Sequence, residues 1–117
     1  MKRYFKKLKE GFLFSAAGFE VMKKELAFQI ELIVGIPAII LALVMGFSAS
    51  EKAALIGSIF FVFVVEIINT AIEKTVDRIS TARHSLSKQA KDIASLAVFV
   101  SVANAIITWS IICLSYL

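Results

Sequence analysis

The stretch that decides the fold runs from residue 53 to residue 78 and reads AALIGSIFFVFVVEIINTAIEKTVDR. Its first half is almost continuously apolar until Glu66 interrupts it. Asn69, Glu73 and Asp77 then follow Glu66 at spacings of three, seven and eleven residues. In an α-helix such spacings place side chains close to one face. The stretch therefore predicts a helix whose polar seam, defined as Glu66, Asn69, Glu73 and Asp77, climbs from a hydrocarbon environment into water.

The composition of the whole chain indicates a membrane protein. It has 117 residues, of which 59% are apolar and 19% charged, and its mean hydropathy is +0.85. Soluble domains are usually about 45 to 50% apolar. A membrane-spanning helix needs about 20 mostly apolar residues, and three stretches meet that need, at residues 27–47, 53–72 and 93–117. We expect an all-α protein with a single membrane domain over residues 1–117, which leaves no room for a soluble catalytic domain.

The N-terminal segment, about residues 2–24, predicts a helix that lies on the membrane surface. On a helical projection its apolar side chains fall within one third of the circle, and most of its basic side chains lie elsewhere. The apolar face comprises Tyr4, Phe5, Leu8, Phe12, Ala16 and Phe19. Such a helix adheres to the interface between lipid and water. Its basic face could meet anionic headgroups or a phosphorylated ligand, and membrane adhesion alone is the alternative.

The distribution of basic residues predicts the orientation. Of the 13 lysines and arginines, seven precede the first span, five lie between the second and third, and only Lys52 falls in the short turn between the first and second. Basic residues concentrate on the cytoplasmic side of membrane proteins. We therefore expect a multi-pass protein of the bacterial inner membrane, with the N-terminus and the long polar segment of residues 73–92 in the cytoplasm.

The deepest carboxylate is the most informative residue for chemistry. Glu66 is expected roughly 10 Å below the cytoplasmic boundary, because each helical residue rises about 1.5 Å. An ionisable group at such depth is costly and usually functional. No basic residue lies in any predicted span, so Glu66 is a candidate proton acceptor.

Three further carboxylates are expected near the cytoplasmic boundary. Glu25 and Glu31 lie where the first span begins, at the depth of Glu73 if the two helices pack antiparallel. Two carboxylates with access to water suit Mg²⁺, which completes its shell with water and substrate phosphates. The alternative is that Glu25 and Glu73 are simply paired with Lys74 or Arg78.

Common soluble scaffolds for nucleotide or hydrolytic chemistry are missing from the sequence. It has no GxxxxGK[ST] loop, no GxGxxG motif and no Ser-His-Asp set. His84 is the only histidine, and no nucleic-acid partner is expected. Any nucleotide chemistry must therefore use another scaffold.

At these residues the sequence resembles a known family, the small prokaryotic integral-membrane diacylglycerol kinases. The resemblance is carried by VEIINTAIEKTVDR at residues 65–78, by His84, by AKD at 90–92 and by ITW at 107–109, with support from residues 14–19 and 25–31. It implies a homotrimer of three-span protomers that transfers the ATP γ-phosphoryl group, with Mg²⁺, to membrane diacylglycerol and forms phosphatidic acid.

The resemblance also implies roles for individual residues. Glu66 matches the general base, Asn69 a polar position of the active site, and Glu25 with Glu73 the ligands of Mg²⁺. The implied nucleotide contacts are Lys7, Phe14, Glu25, Glu73, His84, Lys91 and Asp92. The implied contacts with the lipid substrate are Ser15, Glu31, Glu66 and Ser95. The matches in the surface helix need a one-residue deletion between residues 18 and 25.

The chain departs from the family pattern at several of these positions. Gln29 stands where the family usually has arginine, Phe14 where it often has tyrosine, and Ala82-Arg83 where an acidic-aromatic pair commonly precedes the histidine. These departures bear on nucleotide affinity and on the contacts of the surface helix.

Three alternative functions are weighed against the kinase. An undecaprenol kinase would share the main motif, but Asp77-Arg78 and Thr108-Trp109 look more like the diacylglycerol branch. A small cation-coupled transporter typically has four spans with an acid central in the first, whereas here three spans are expected and the deepest acid is in the second. A noncatalytic membrane subunit would leave the polar seam unexplained.

Overall fold

The computed structural model describes residues 1–80 and 82–117. Four helices account for most of them: α1 (Lys2–Met22), α2 (Leu26–Val44), α3 (Ala49–Ile79) and α4 (Ser85–Leu114). The last three are long and apolar enough to cross a membrane. The expectation of an all-helical protein with three such helices is confirmed, whereas the surface position of α1 and the trimer stay predictions.

Short, capped connections bring the helices together. Ser48 begins α3 with a capping box, in which the Glu51 amide donates to Ser48 Oγ at 3.2 Å and the Ser48 amide donates to Glu51 Oε1 at 2.8 Å. The Lys52 ammonium, next in sequence, reaches back to the Leu43 carbonyl of α2 at 2.9 Å. The turn between α2 and α3 is therefore tight, and the two helices pack side by side as a hairpin.

An aromatic cluster packs α2 against α3. Phe28 and Phe63 meet edge to face with ring centroids 6.0 Å apart, and Phe60 meets Phe63 in the same manner at 5.8 Å. Met22, at the end of α1, joins the buried side chains of this cluster. Gly35 allows the close approach, since a methyl group there would lie 2.6 Å from the Phe63 ring.

α4 packs against α3, and two hydrogen bonds join the first half of α3 to the C-terminal end of the chain. Trp109 Nε1 of α4 donates to the Leu55 carbonyl of α3 at 3.3 Å. Beyond it, the Tyr116 hydroxyl donates to Glu51 at 2.5 Å. Both aromatic side chains thus tie the C-terminal end of the chain to the start of α3.

Helices extend beyond the predicted apolar stretches into the polar segment of residues 73–92. α3 ends at Ile79 and α4 begins at Ser85, so a five-residue connection replaces the long loop expected from composition. The reason is that this segment has no glycine or proline to stop a helix. α3, with 31 residues, is about 46 Å long at about 1.5 Å per residue and carries the polar seam without interruption.

Candidate active site

The polar seam is buried at its deep end and open at its shallow end. Glu66 is 5% exposed and Asn69 is 8% exposed, whereas Glu73 is half-buried and Asp77 exposed. Thr70 is also buried, but its hydroxyl donates to the Glu66 backbone carbonyl of its own helix at 3.0 Å. The deep part of the seam therefore presents one carboxyl and one amide group to the neighbouring helices.

α2 places a second carboxyl beside Glu66. The Glu31 side chain lies close enough to the Glu66 carboxyl group to interact with it electrostatically. Its Oε1 is buried and, among the residues that the structure describes, meets no donor. Two carboxyl groups from different helices therefore lie side by side at the deep end of the seam.

Asn69 connects the deep carboxyl groups to the shallow ones. Its Nδ2 donates to Glu73 Oε1 at 3.3 Å, and its side chain also lies against Glu66. Glu73 and Glu25 are both close enough to interact electrostatically with Glu66. Four carboxyl groups from two helices thus converge, and we call Glu25, Glu31, Glu66 and Glu73 the carboxylate cluster.

One lysine contacts this cluster. The Lys74 ammonium of α3 lies 3.3 Å from Glu25 Oε1. Glu25 is the N-cap residue of α2. Pairing with lysine, the alternative raised from the sequence, is thus realised for Glu25. The spacing of residues along one helix could not have predicted this ion pair, because the two residues belong to different helices.

The donor set fits a hard divalent cation only in part. Among the described residues, no group of three or more His, Cys, Asp or Glu side chains could hold a metal ion. Glu25 and Glu73 nevertheless supply two carboxylates near the boundary, which matches the one or two that Mg²⁺ takes when phosphates and water provide its other ligands. The residues fit an ion that two carboxylates and water hold weakly, and whose remaining ligands a phosphorylated substrate can supply.

A cavity of about 540 Å³ lies between the end of α3 and the start of α4. Its lining includes four basic side chains, from Arg83, His84, Lys88 and Lys91. Lys91 binds Asp77 across the two helices at 2.5 Å. Lysines and arginines converging on one cavity suit phosphate groups.

Two of the predicted nucleotide contacts have structural partners at this cavity. Asp92 pairs with Lys88 one turn away at 2.6 Å. His84 caps α4, with Nδ1 accepting from the Leu86 amide at 3.1 Å. These contacts fix the cavity wall, and the nucleotide roles of both residues stay predictions.

The site residues predicted on α1 do not all reach the carboxylate cluster. Ser15 lines a second cavity, of about 590 Å³, together with Lys74 of α3. Lys7 lines a separate groove along α1 itself, and the Phe14 side chain is 75% exposed. On α4, Ser95 is exposed as well. The structure thus brings Ser15 near the site, and nothing in it joins Lys7, Phe14 or Ser95 to the cluster.

Gln29, one of the departures from the family pattern, has a clear local contact. Its Nε2 donates to the Lys23 carbonyl at 2.8 Å, at the C-terminal cap of α1. The amide thereby fastens the end of α1 to the start of α2. No sequence motif pointed to this contact.

An apolar groove of about 430 Å³ opens beside the deep carboxyl groups. Residues of α2, α3 and α4 line it, including Gly35, Phe63 and Trp109, and Glu31 is its one acidic residue. A hydrophobic groove with a single carboxyl group suits a hydrocarbon chain that carries one polar function.

Comparison with known proteins agrees with these features. The family described as "Prokaryotic diacylglycerol kinase" matches residues 13–113. The chain is 39% identical over 102 residues to a protein of Pseudomonas aeruginosa named "Diacylglycerol kinase", covering 86% of this chain and 83% of the relative. Proteins of the same name from Escherichia coli (40% over 92 residues, 79% and 75% covered) and Helicobacter pylori (36% over 114 residues, 97% and 86% covered) are also similar.

Proposed function

This chain belongs to the prokaryotic diacylglycerol kinase family, and from that premise we propose that it transfers the γ-phosphoryl group of ATP to the free hydroxyl of a membrane diacylglycerol. In this reaction the hydroxyl oxygen forms a bond to the γ-phosphorus while the bond from that phosphorus to the β,γ-bridging oxygen breaks. ADP leaves, the hydroxyl proton passes to a base, and the lipid product is phosphatidic acid.

The observation that carries this function is the arrangement of the polar seam on one helix. Glu66 is buried at the deep end of the seam, and Glu73 lies half-buried two turns further along the same face. We assign to Glu66 the role of general base. Its neighbour Glu31 interacts with it and lines the apolar groove, and it would help to position the hydroxyl of the lipid.

Asn69 and the basic cavity would orient the phosphates. The Asn69 amide lies between Glu66 and Glu73, which is the place where acceptor and donor must meet. Lys91, Arg83 and His84 supply positive charge or hydrogen-bond donors to the polyphosphate. Phosphoryl transfer depends chiefly on such positioning and charge neutralisation.

Glu25 and Glu73 are the residues that we propose to hold Mg²⁺. The ion would neutralise charge on the β- and γ-phosphates and help to align them. Both carboxylates lie near Glu66, so the proposed metal and the proposed base belong to one site.

Assembly and orientation are also proposals. We propose a homotrimer in the inner membrane with the N-terminus and the active site in the cytoplasm. The count of basic residues on either side of the spans supports the orientation. Cross-linking in native membranes, followed by denaturing electrophoresis, would measure the subunit number directly.

The test of the function is a kinase assay in mixed micelles with labelled ATP, Mg²⁺ and either diacylglycerol or undecaprenol. Glu66→Gln should lower kcat by roughly 10²- to 10⁴-fold, the usual worth of a positioned proton acceptor. Glu73→Gln should instead weaken the apparent affinity for Mg-ATP, because an amide lacks the charge that holds a hard cation.

Excess Mg²⁺ should restore part of the activity of the Glu73 variant and none in the Glu66 variant. Glu51→Gln, at the other end of α3, is the matched control, since glutamine also serves in a capping box. The assignment fails if magnesium rescues both variants equally, or if Glu66→Gln stays fully active. If undecaprenol is phosphorylated in preference to diacylglycerol, undecaprenol is the acceptor and the proposed lipid substrate is wrong.

A further inference from the structure

Lys74 holds a position that the reaction as described does not use. Its ammonium lies 3.3 Å from Glu25 Oε1, with 56% of the lysine side chain and 37% of the glutamate side chain exposed. Four ion pairs form among the described residues, and this is the one that involves the carboxylate cluster. A monovalent cation of the protein thus occupies one of the two carboxylates proposed for Mg²⁺.

The surroundings of Lys74 allow it to leave. More than half of its side chain is exposed to solvent, so water can solvate the ammonium when it leaves Glu25. Lysine has a flexible four-carbon stem, and its ammonium is a compact point charge that needs no fixed geometry. Ion pairs as exposed as this one are weak, so a competing divalent cation can displace the ammonium.

We propose that Lys74 is an internal counter-cation for Glu25, which binds the carboxylate while the metal is away and turns out into water when a divalent cation binds. The proposal rests on the proposed function, because it takes Glu25 and Glu73 as the metal ligands. Lys74 is a positioning residue in this scheme. It keeps Glu25 oriented towards α3, and it lowers the affinity for a free divalent cation both by occupying the carboxylate and by repulsion.

The test is the binding of Mn²⁺ to the purified protein in detergent micelles, without nucleotide or lipid, followed by the electron paramagnetic resonance signal of unbound Mn²⁺. Lys74→Met should bind Mn²⁺ about three- to tenfold more tightly than the wild type, because a weak competing pair and a nearby like charge are both removed. Lys74→Arg keeps the charge and should stay within about twofold of the wild type.

Lys23→Met is the matched control. The Lys23 ammonium pairs with Glu20 at 2.6 Å and, among the described residues, with no member of the carboxylate cluster. Lys23→Met removes the same charge as Lys74→Met. An equal gain in Mn²⁺ affinity in this variant would therefore show an effect of overall charge alone and would overturn the proposal. Equal Mn²⁺ affinity of wild type and Lys74→Met, including no measurable binding by either, overturns it as well.

Adding Glu25→Gln to Lys74→Met separates this inference from the proposed function. The added change should abolish the gain in Mn²⁺ affinity. If it leaves Mn²⁺ binding untouched, Glu25 is not a metal ligand and the proposed metal site itself is wrong. If it weakens binding but Lys74→Met alone gave no gain, the metal site stands and only the role of Lys74 is lost.

Discussion

The close contact between α2 and α3 at Gly35 allows a sharp test of the packing beside the site. A Cβ at this position would lie 2.6 Å from Cζ of Phe63 and 2.9 Å from Cγ2 of Ile59. Carbon atoms in contact normally lie about 3.5 to 4.0 Å apart. Gly35→Ala therefore creates an overlap of about 1 Å with the ring, and either the ring or the helix must move.

The Phe63 ring has little room to withdraw. It is 8% exposed and lies edge to face against Phe28 on one side and Phe60 on the other. Overpacking of such a site costs about 1 to 3 kcal/mol, whereas alanine gains up to about 1 kcal/mol over glycine in a helix. We expect Gly35→Ala to lower the free energy of unfolding by up to about 2 kcal/mol, the difference between these effects when the full gain from alanine is realised.

The assay is reversible unfolding in mixed micelles by titration with sodium dodecyl sulfate, followed by near-ultraviolet circular dichroism. Gly57→Ala is the matched control, because no atom of the described residues lies within 4 Å of a Cβ built there; this variant should be neutral or slightly stabilised. Gly35 also lies one turn from Glu31. The kcat of Gly35→Ala should therefore be lower than that of the wild type, as its stability is. Equal stability of the two variants would refute the packing argument, and so would failure of Phe63→Leu to restore any stability to Gly35→Ala.

Two further predictions concern the relation of the chain to the membrane. In a background without the native cysteine, a cysteine at Ser80 should react with reagents added from the cytoplasm and one at Ser50 with reagents added outside; labelling of both from one side would contradict the three-span topology. Joint replacement of Phe5, Leu8 and Phe12 by serine should lower kinase activity while the protein stays in the membrane fraction, because three spans still anchor it. Wild-type activity of that variant would exclude a role of α1 in the site.

The spanning helices follow from the sequence because the bilayer fixes their length and polarity. Apolar runs of sufficient length have few alternatives in hydrocarbon. The ends of α3 and α4 were harder to predict, since composition shows where a helix leaves the lipid and not where it stops. Residues 73–79 are polar yet helical, because nothing in them breaks the backbone pattern.

The site could be predicted along one helix and not between helices. Glu66, Asn69 and Glu73 share a face of α3 by spacing alone, and the structure keeps them together. The pairing of Glu25 with Lys74 depends on how α2 and α3 are rotated against each other. Helical periodicity contains no information about that rotation, which packing around the aromatic cluster determines.

The unbroken course of α3 has a consequence for how an acceptor would be chosen. Glu66 and Glu73 are seven residues apart, which is about 10 Å along the axis, and no kink or hinge between them can alter that offset. If the proposed roles hold, the helix fixes the depth in the membrane at which an acceptor hydroxyl can react. An acceptor can react when its hydroxyl lies deep enough in the leaflet to meet Glu66 while the phosphates of ATP stay at the surface. Phospholipids have charged headgroups, and moving such a headgroup to the depth of Glu66 would cost too much free energy. They would then be excluded without a pocket shaped to exclude them.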